Sequence, residues 1–411
     1  MSTRTLVPVL ALSGLGLFGC QAPSFEAPSM PTSHATPDAG TDAGDPSAPA
    51  DRDGDGYIDL GDPSGTLSAD WLAQLVQRRV SYGAALRTAS LRLRGVLPSM
   101  SEIRAVASAT DPRAAYERQI DRFLDDTRFH ARITEYFRDT FRMGTGDMDS
   151  APRFAAELVV EDRDFTELFT ATEGTCPTYD ADTNTFQPAD CQNGVPTHAG
   201  LLTHPAVMQQ FSSNLAFRRV RWVQEVFACT PFPAETGGNL DVGGAAPYTA
   251  PWDFESISGH DNGGRIDFHD TSSVICANCH ATMNHLAPLF GRFDAMGQWQ
   301  DDFVVTLPLD GTPTARRSDW LPAGEPTAWR HGVPARDLPA LGAALAADPD
   351  VQRCTVTRAW NWAMGHGDVI AQVDVVPAAI LAPLVNDYVS GGHHLRETLR
   401  AIFVSSDFVH F

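Results

Sequence analysis

Lysine is absent from this 411-residue sequence, and all 30 basic side chains are Arg. Without a Lys amine there is no lysine Schiff base, no pyridoxal-phosphate enzyme and no P-loop lysine. HExxH and GxSxG are missing, and no GxGxxG opens a helix, which removes most familiar hydrolases and nucleotide enzymes. Positive charge is scarce. The 51 Asp and Glu outweigh Arg and leave a formal charge of −21. An exterior this acidic repels phosphate backbones, so no nucleic-acid partner is expected.

What is present begins with an export signal. Arg4 is followed by an apolar run from Leu6 to Phe18, and the run ends in Leu17-Phe18-Gly19-Cys20. A short basic start, a compact apolar stretch and a small residue before the cut predict a signal peptide over residues 1–19, too short to span a bilayer. A Cys directly after Gly19 is the lipobox arrangement, in which the thiol takes a diacylglycerol before cleavage. Cys20 is thus the expected lipid attachment point, the alternative being an ordinary signal peptide. Gln21 rather than Asp after the Cys favours sorting to the outer membrane or cell surface. Residues 20–50 are Pro, Ala, Ser, Thr and Asp with almost nothing apolar to bury, a composition that predicts a disordered tether.

After Thr66 a helical period takes over. Ser99 and Glu102 form a capping box ahead of Ile103 and Val106. Tyr116, Ile120, Phe123 and Leu124 recur at three-to-four spacing, as do Phe129, Ile133, Phe137 and Phe141. Similar stripes follow at Val207–Phe211, at Phe217–Phe227, around Val356, Trp360 and Met364, and from Leu395 to Phe403. All of them read as core. No run of alternating strands is visible, so the expected fold is mostly α. It is a multi-helical body in one or two lobes, with an N-terminal helical part at 66–172, a central part at 198–330 and a C-terminal part at 335–411. Two long loops, Glu173–Pro196 and Thr230–Ile266, are rich in Gly, Pro, Asn and Asp; loops of that length are usually functional, covering or mobile.

Cys276-Ala277-Asn278-Cys279-His280 is the sharpest chemical motif. Two thiols on one helical turn can add to the two vinyl groups of haem, and the following His sets its imidazole under the iron. A disulfide between the two thiols is one alternative, and a zinc site with His269, His280 or His285 is another. The ligand on the far face of the ring is not fixed by spacing. Met283 and His285 lie too near His280, whereas His269, Met296, Met364 and His366 are distant enough; His269 is preferred and Met364 is second.

Asp51, Asp53, Asp55, Asp59 and Asp62 stand at positions 1, 3, 5, 9 and 12 of an EF-hand-like loop within 51–65, with Gly56 at 6 and the Tyr57 carbonyl at 7. This order predicts a weak Ca²⁺ site. Asp at the last position and the lack of a preceding helix leave a solvated acidic hinge as the alternative. Four cysteines remain. Cys176 and Cys191 bracket one loop and form a natural local staple; Cys229 and Cys354 would then cross-link distant segments, one of three possible connectivities.

With these residues in view, the C-terminal half resembles the exported cytochrome-c-associated domains of unknown function found in planctomycetes and myxobacteria. The matching stretches are Gly200–Thr203, Arg219–Glu225 running into Cys229–Pro233, Arg265 and His269, the CxxCH, and Phe293-Asp294-Ala295-Met296-Gly297-Gln298-Trp299. Cys354 with Trp360–Gly365 and Leu395–Phe408 resembles a second domain of the group. Asn284, His285 and Gly291 depart from it, standing where an Asp-Pro pair and a Glu are usual. The resemblance implies export and haem c but no reaction. The expected function is that of a lipid-anchored monohaem protein of the cell envelope, transferring electrons or serving a redox protein partner. A non-catalytic surface lipoprotein with a disulfide or zinc clip, and a haem-dependent oxidative or peroxidase-like enzyme, are the alternatives.

Overall fold

The computed structural model describes residues 78–230, 260–262, 265–267, 274–307, 313–330, 332–366 and 376–411. The signal, Cys20, the tether, the loop from Asp51 to Asp62 and His269 lie outside the described residues.

Many of the helices start where a short polar side chain meets an apolar period. Ser81 caps α1 (Tyr82–Arg94) by accepting the Ala84 N–H. Ser99 and Glu102 close a reciprocal capping box on α2 (Met100–Ala107). Asp111 caps α3 (Pro112–Leu124), which has Pro at its first turn, and Asp126 caps α4 (Thr127–Phe141). α5 (Ser150–Val160) and the short α6 (Glu167–Thr170) complete the N-terminal group. The stripes expected to be core are buried in α3 and α4: Tyr116, Ile120, Phe123, Phe129, Ile133, Phe137 and Phe141 all face inward.

One expected core residue does not go in. Val106 is buried, but Ile103 of the same helix is 37% exposed. An eight-residue helix has only two turns, and this one turns little more than Val106 towards its neighbours. Ile103 therefore belongs to an outward face.

The central part carries α7 (Pro205–Gln210), α8 (Phe217–Phe227), α9 (Val274–Phe290) and α10 (Arg317–Trp320). α8 is amphipathic and nearly all buried, and its Trp222 indole donates to the Phe141 carbonyl at 2.9 Å, fastening it to the end of α4. The C-terminal part holds α11 (Leu338–Ala346), α12 (Pro349–Met364), α13 (Ala378–Ser390), α14 (Leu395–Val404) and α15 (Ser406–Val409). α12 starts on Asp348 and stops at Gly365, which takes the left-handed conformation at φ 82°.

Among the described residues the only strands are three short antiparallel ribbons: β1 (Thr178–Asp180) with β2 (Thr185–Gln187), β3 (His260–Asn262) with β4 (Arg265–Asp267), and β5 (Ala328–Arg330) with β6 (Val333–Pro334). The first lies in the Glu173–Pro196 loop. It is therefore an ordered cover, stapled at its base by the Cys176–Cys191 disulfide.

A continuous apolar core runs from Ala85 to Val409 and takes side chains from all three helical parts. Long-range ties confirm the closure. Tyr116 Oη donates to the Phe403 carbonyl at 2.7 Å, Arg79 and Phe411 exchange backbone hydrogen bonds, and Cys229 is disulfide-bonded to Cys354 across 125 residues. No helix among the described residues is long and apolar enough to cross a membrane.

Candidate functional site

The CxxCH lies wholly within α9, so Cys276 and Cys279 are one turn apart on its backbone and His280 comes directly after them. α9 packs along α8 and against β5 and α10. The imidazole of His280 meets Phe217, the first residue of α8, edge to face at 4.9 Å between ring centroids. Its Nδ1 lies 3.3 Å from Asn284 Oδ1, one turn further along the same helix. Because an amide oxygen only accepts, Nδ1 carries the proton and donates, and Nε2 keeps its lone pair. Burial pushes the His280 pKa below the ordinary histidine value, partly offset by the Asn284 bond, so the ring is neutral at physiological pH. A neutral imidazole whose Nδ1 donates to a carbonyl oxygen is the usual state of a histidine that binds metal.

Asn284 thus has a role that reading it only as a departure from the family pattern missed. A hydrogen-bonding residue four positions after a candidate ligand was the available signal. His285 also has a partner, with its Nε2 2.7 Å from Glu325 Oε1. Gly291 is small for a steric reason. A β-carbon there would lie 2.8 Å from Phe303 Cδ1 and 3.0 Å from Trp320 Cη2. No Glu could stand in its place without moving both rings.

Of the candidates for the far face of the ring, Met364, Met296 and His366 are among the described residues. Met364 packs against the core at the end of α12, and the adjoining Gly365 lies against the Arg92 side chain of α1. Met296 is 61% exposed on a turn, and His366 is exposed.

That turn and its support account for the other motifs. Arg219 is fully buried on α8, and its guanidinium donates to four backbone carbonyls: Met208 on α7, Phe290 at the end of α9, Phe293 and Asp294. Burial pushes its pKa down to about 10 against the pull of the Asp294 carboxylate, so it stays charged. Asp294 Oδ1 accepts the Met296 and Gln298 N–H groups and closes the turn. Gly297, at φ 74°, completes it where a β-carbon would stand 2.3 Å from the Pro205 carbonyl oxygen. These residues hold the far end of α9 in place, and their work is structural.

A second cluster was invisible to sequence reading. His204 is fully buried with Nε2 3.4 Å from Cys176 Sγ, while its Nδ1 accepts the Ala206 N–H. The proton therefore sits on Nε2 and points at sulfur, which leaves no lone pair for a metal there. Desolvation pushes the His204 pKa down to about 3, so it is neutral.

No curated protein and no solved structure matches the chain. Residues 198–302, the stretch holding Gly200–Thr203, Arg219–Glu225, the CxxCH and Phe293–Trp299, are similar to the family described as PSCyt3: Protein of unknown function (DUF1588).

Proposed function

We propose that this chain is a lipid-anchored c-type monohaem protein of the cell envelope that passes electrons to or from a redox partner. The observation that carries the reading is the His280 imidazole, held through Nδ1 by Asn284 on the same helix as Cys276 and Cys279.

The donor set suits haem c. Each thiol, Cys276 and Cys279, would add across one vinyl group, its hydrogen going to the neighbouring vinyl carbon, with no net change of oxidation state. His280 Nε2 would take the proximal position. When bound, haem supplies a one-electron couple. Asn284 fixes the imidazole plane and makes His280 a stronger donor, and Phe217 closes one side of the ring to water. His269 is the preferred ligand for the other face and Met364 the second choice.

The test is a haem stain on a denaturing gel, with mass spectrometry of the peptide containing Asn278, on protein from a host that matures other c-type cytochromes. Thioether-bound haem survives denaturation, whereas zinc and non-covalent haem do not. A peptide at apo mass overturns the proposal; bonded thiols would favour the disulfide clip, and metal in the native protein the zinc clip. With haem in place, His280→Ala is expected to keep attached haem but lose normal axial ligation, and His269→Ala and Met364→Ala report on the other face.

Anchoring through Cys20 is part of the same reading. Cys20→Ser is expected to release the protein from the membrane fraction or block its processing. The carboxylate order from Asp51 to Asp62 supports a weak Ca²⁺ site, with Kd on the order of 10⁻⁴–10⁻³ M as in extracellular modules. Calorimetry of Asp53→Ala/Asp55→Ala at millimolar calcium tests it.

A further inference from the structure

The chain is acidic overall, but the start of its described part is not. Residues 78–108 carry six Arg and a single Glu, in a protein whose net charge is −21. Arg94 is buried and paired with Glu102 and Asp126. Arg78, Arg79, Arg87 and Arg104 are exposed.

The same segment holds six of the ten large apolar side chains that stand out in solvent among the described residues. Leu97 is 59% and Met100 62% exposed, and Leu91, Val96 and Ile103 join them around the corner between α1 and α2. Leu91 follows Arg87 by four residues on one face of α1, and Met100, Ile103, Arg104 and Ala107 share one face of α2. Five exposed aliphatic side chains within thirteen residues are more than the scattered apolar exposure of an ordinary surface.

We infer that the α1–α2 corner is a membrane-contact surface that inserts Leu97 and Met100 at the acyl boundary of an anionic bilayer. Two features commit the corner to lipid. An apolar tip backed by guanidinium groups matches a layer of hydrocarbon below a layer of phosphate, with Arg87 and Arg104 set behind the tip at headgroup depth. The net charge of the chain is repelled by the same surface, which favours an approach through this Arg-rich corner. A second copy could offer its own apolar corner, but that pairing would set the Arg side chains of one copy against those of the other, whereas an anionic bilayer meets both the apolar tip and the cations.

The inference extends the envelope reading without depending on the lipid at Cys20. Its test uses the mature chain carrying Cys20→Ser, exported behind an ordinary signal peptide, so failure of the anchor and failure of the surface are separable. The probes are phosphatidylcholine vesicles with and without about a third phosphatidylglycerol, at low and high salt. The unlipidated chain is expected to sediment with the anionic vesicles and to come off as salt rises. Leu97→Asp/Met100→Asp should abolish binding, and each of Arg87→Gln and Arg104→Gln should weaken it about fivefold, the effect of one cation near an anionic surface. All four positions are exposed, so an unchanged circular dichroism melt serves as the folding control. Equal binding to both vesicle types, or wild-type binding by Leu97→Asp/Met100→Asp, overturns the inference. So does a concentration-dependent dimer that the double variant abolishes while vesicle binding is absent, because that result gives the corner to a second copy.

Discussion

Arg219→Met tests whether one buried guanidinium holds the frame behind the candidate haem helix. The wild-type side chain makes five hydrogen bonds of 2.7–3.1 Å to four carbonyls. Methionine fills comparable apolar volume and restores none of them. An orphaned buried acceptor costs about 1–3 kcal/mol, and four of them give a gross loss on the order of 4–12 kcal/mol. Two effects reduce this figure. The charge is itself disfavoured by burial, as its lowered pKa shows, and removing it returns about 3 kcal/mol at 1.36 kcal/mol for each pKa unit. Some of the carbonyls will also find water. The expected net loss is about 3–5 kcal/mol, read as a drop in denaturation midpoint at constant slope. Arg219→Lys should fall in between, since an ammonium has three donors and lacks the planar fork. The reasoning fails if Arg219→Met loses less than about 1 kcal/mol, a value expected for a surface substitution.

If the proposed haem is bound, Asn284→Leu should leave it attached but raise its midpoint potential, because a His280 without its hydrogen-bond acceptor would donate less electron density to ferric iron; redox titration against wild type reads the shift. Removing Cys229–Cys354 as a double Ala variant should cost about 5 kcal/mol, and removing Cys176–Cys191 about 3, since the loops they close are 125 and 15 residues long. Denaturant unfolding of the two variants checks that order. Glu157 is fully buried with neither carboxylate oxygen hydrogen-bonded, and burial raises its pKa to about 7, against the pull of Arg163 and with Glu161 and Glu167 adding to the rise. A carboxyl with a folded pKa above its unfolded one is most stabilising when protonated. Stability should therefore fall by up to about 3 kcal/mol as pH rises from 4.5 to 7. Glu157→Gln should flatten that slope in melts taken across the range.

Helices whose apolar period ran for three turns or more could be read from the sequence, because each must bury a stripe and only one face offers it. Phe129, Ile133, Phe137 and Phe141 show this for α4, and the boundaries of α8 at Phe217 and Phe227 coincide with its stripe. Ile103 shows where the rule stops. In a helix of two turns the period does not tell a core face from an outward one, since Met100, Ile103 and Val106 all fit an apolar repeat and only Val106 is buried. The exposed residue is also the informative one, because it belongs to the apolar corner on which the proposed lipid surface rests.

The site divides along the same line. Its backbone part, two Cys and a His on one turn, is local in sequence and was legible as a motif. Its surroundings were less so. Phe217 reaches His280 from another helix across a gap of more than sixty positions, and Glu325 reaches His285 from forty positions downstream. Arg219 could be quoted as part of a recurring stretch, but its reason could not, since the four carbonyls it serves come from two separate segments, Met208 and Phe290–Asp294, and a carbonyl has no signature in sequence. A buried cation that binds only backbone is insensitive to the identity of the residues it holds. The side chains of Met208, Phe290, Phe293 and Asp294 therefore carry no mark of the bonds their carbonyls accept, and only the burial of Arg219 in the folded chain brings those bonds to light.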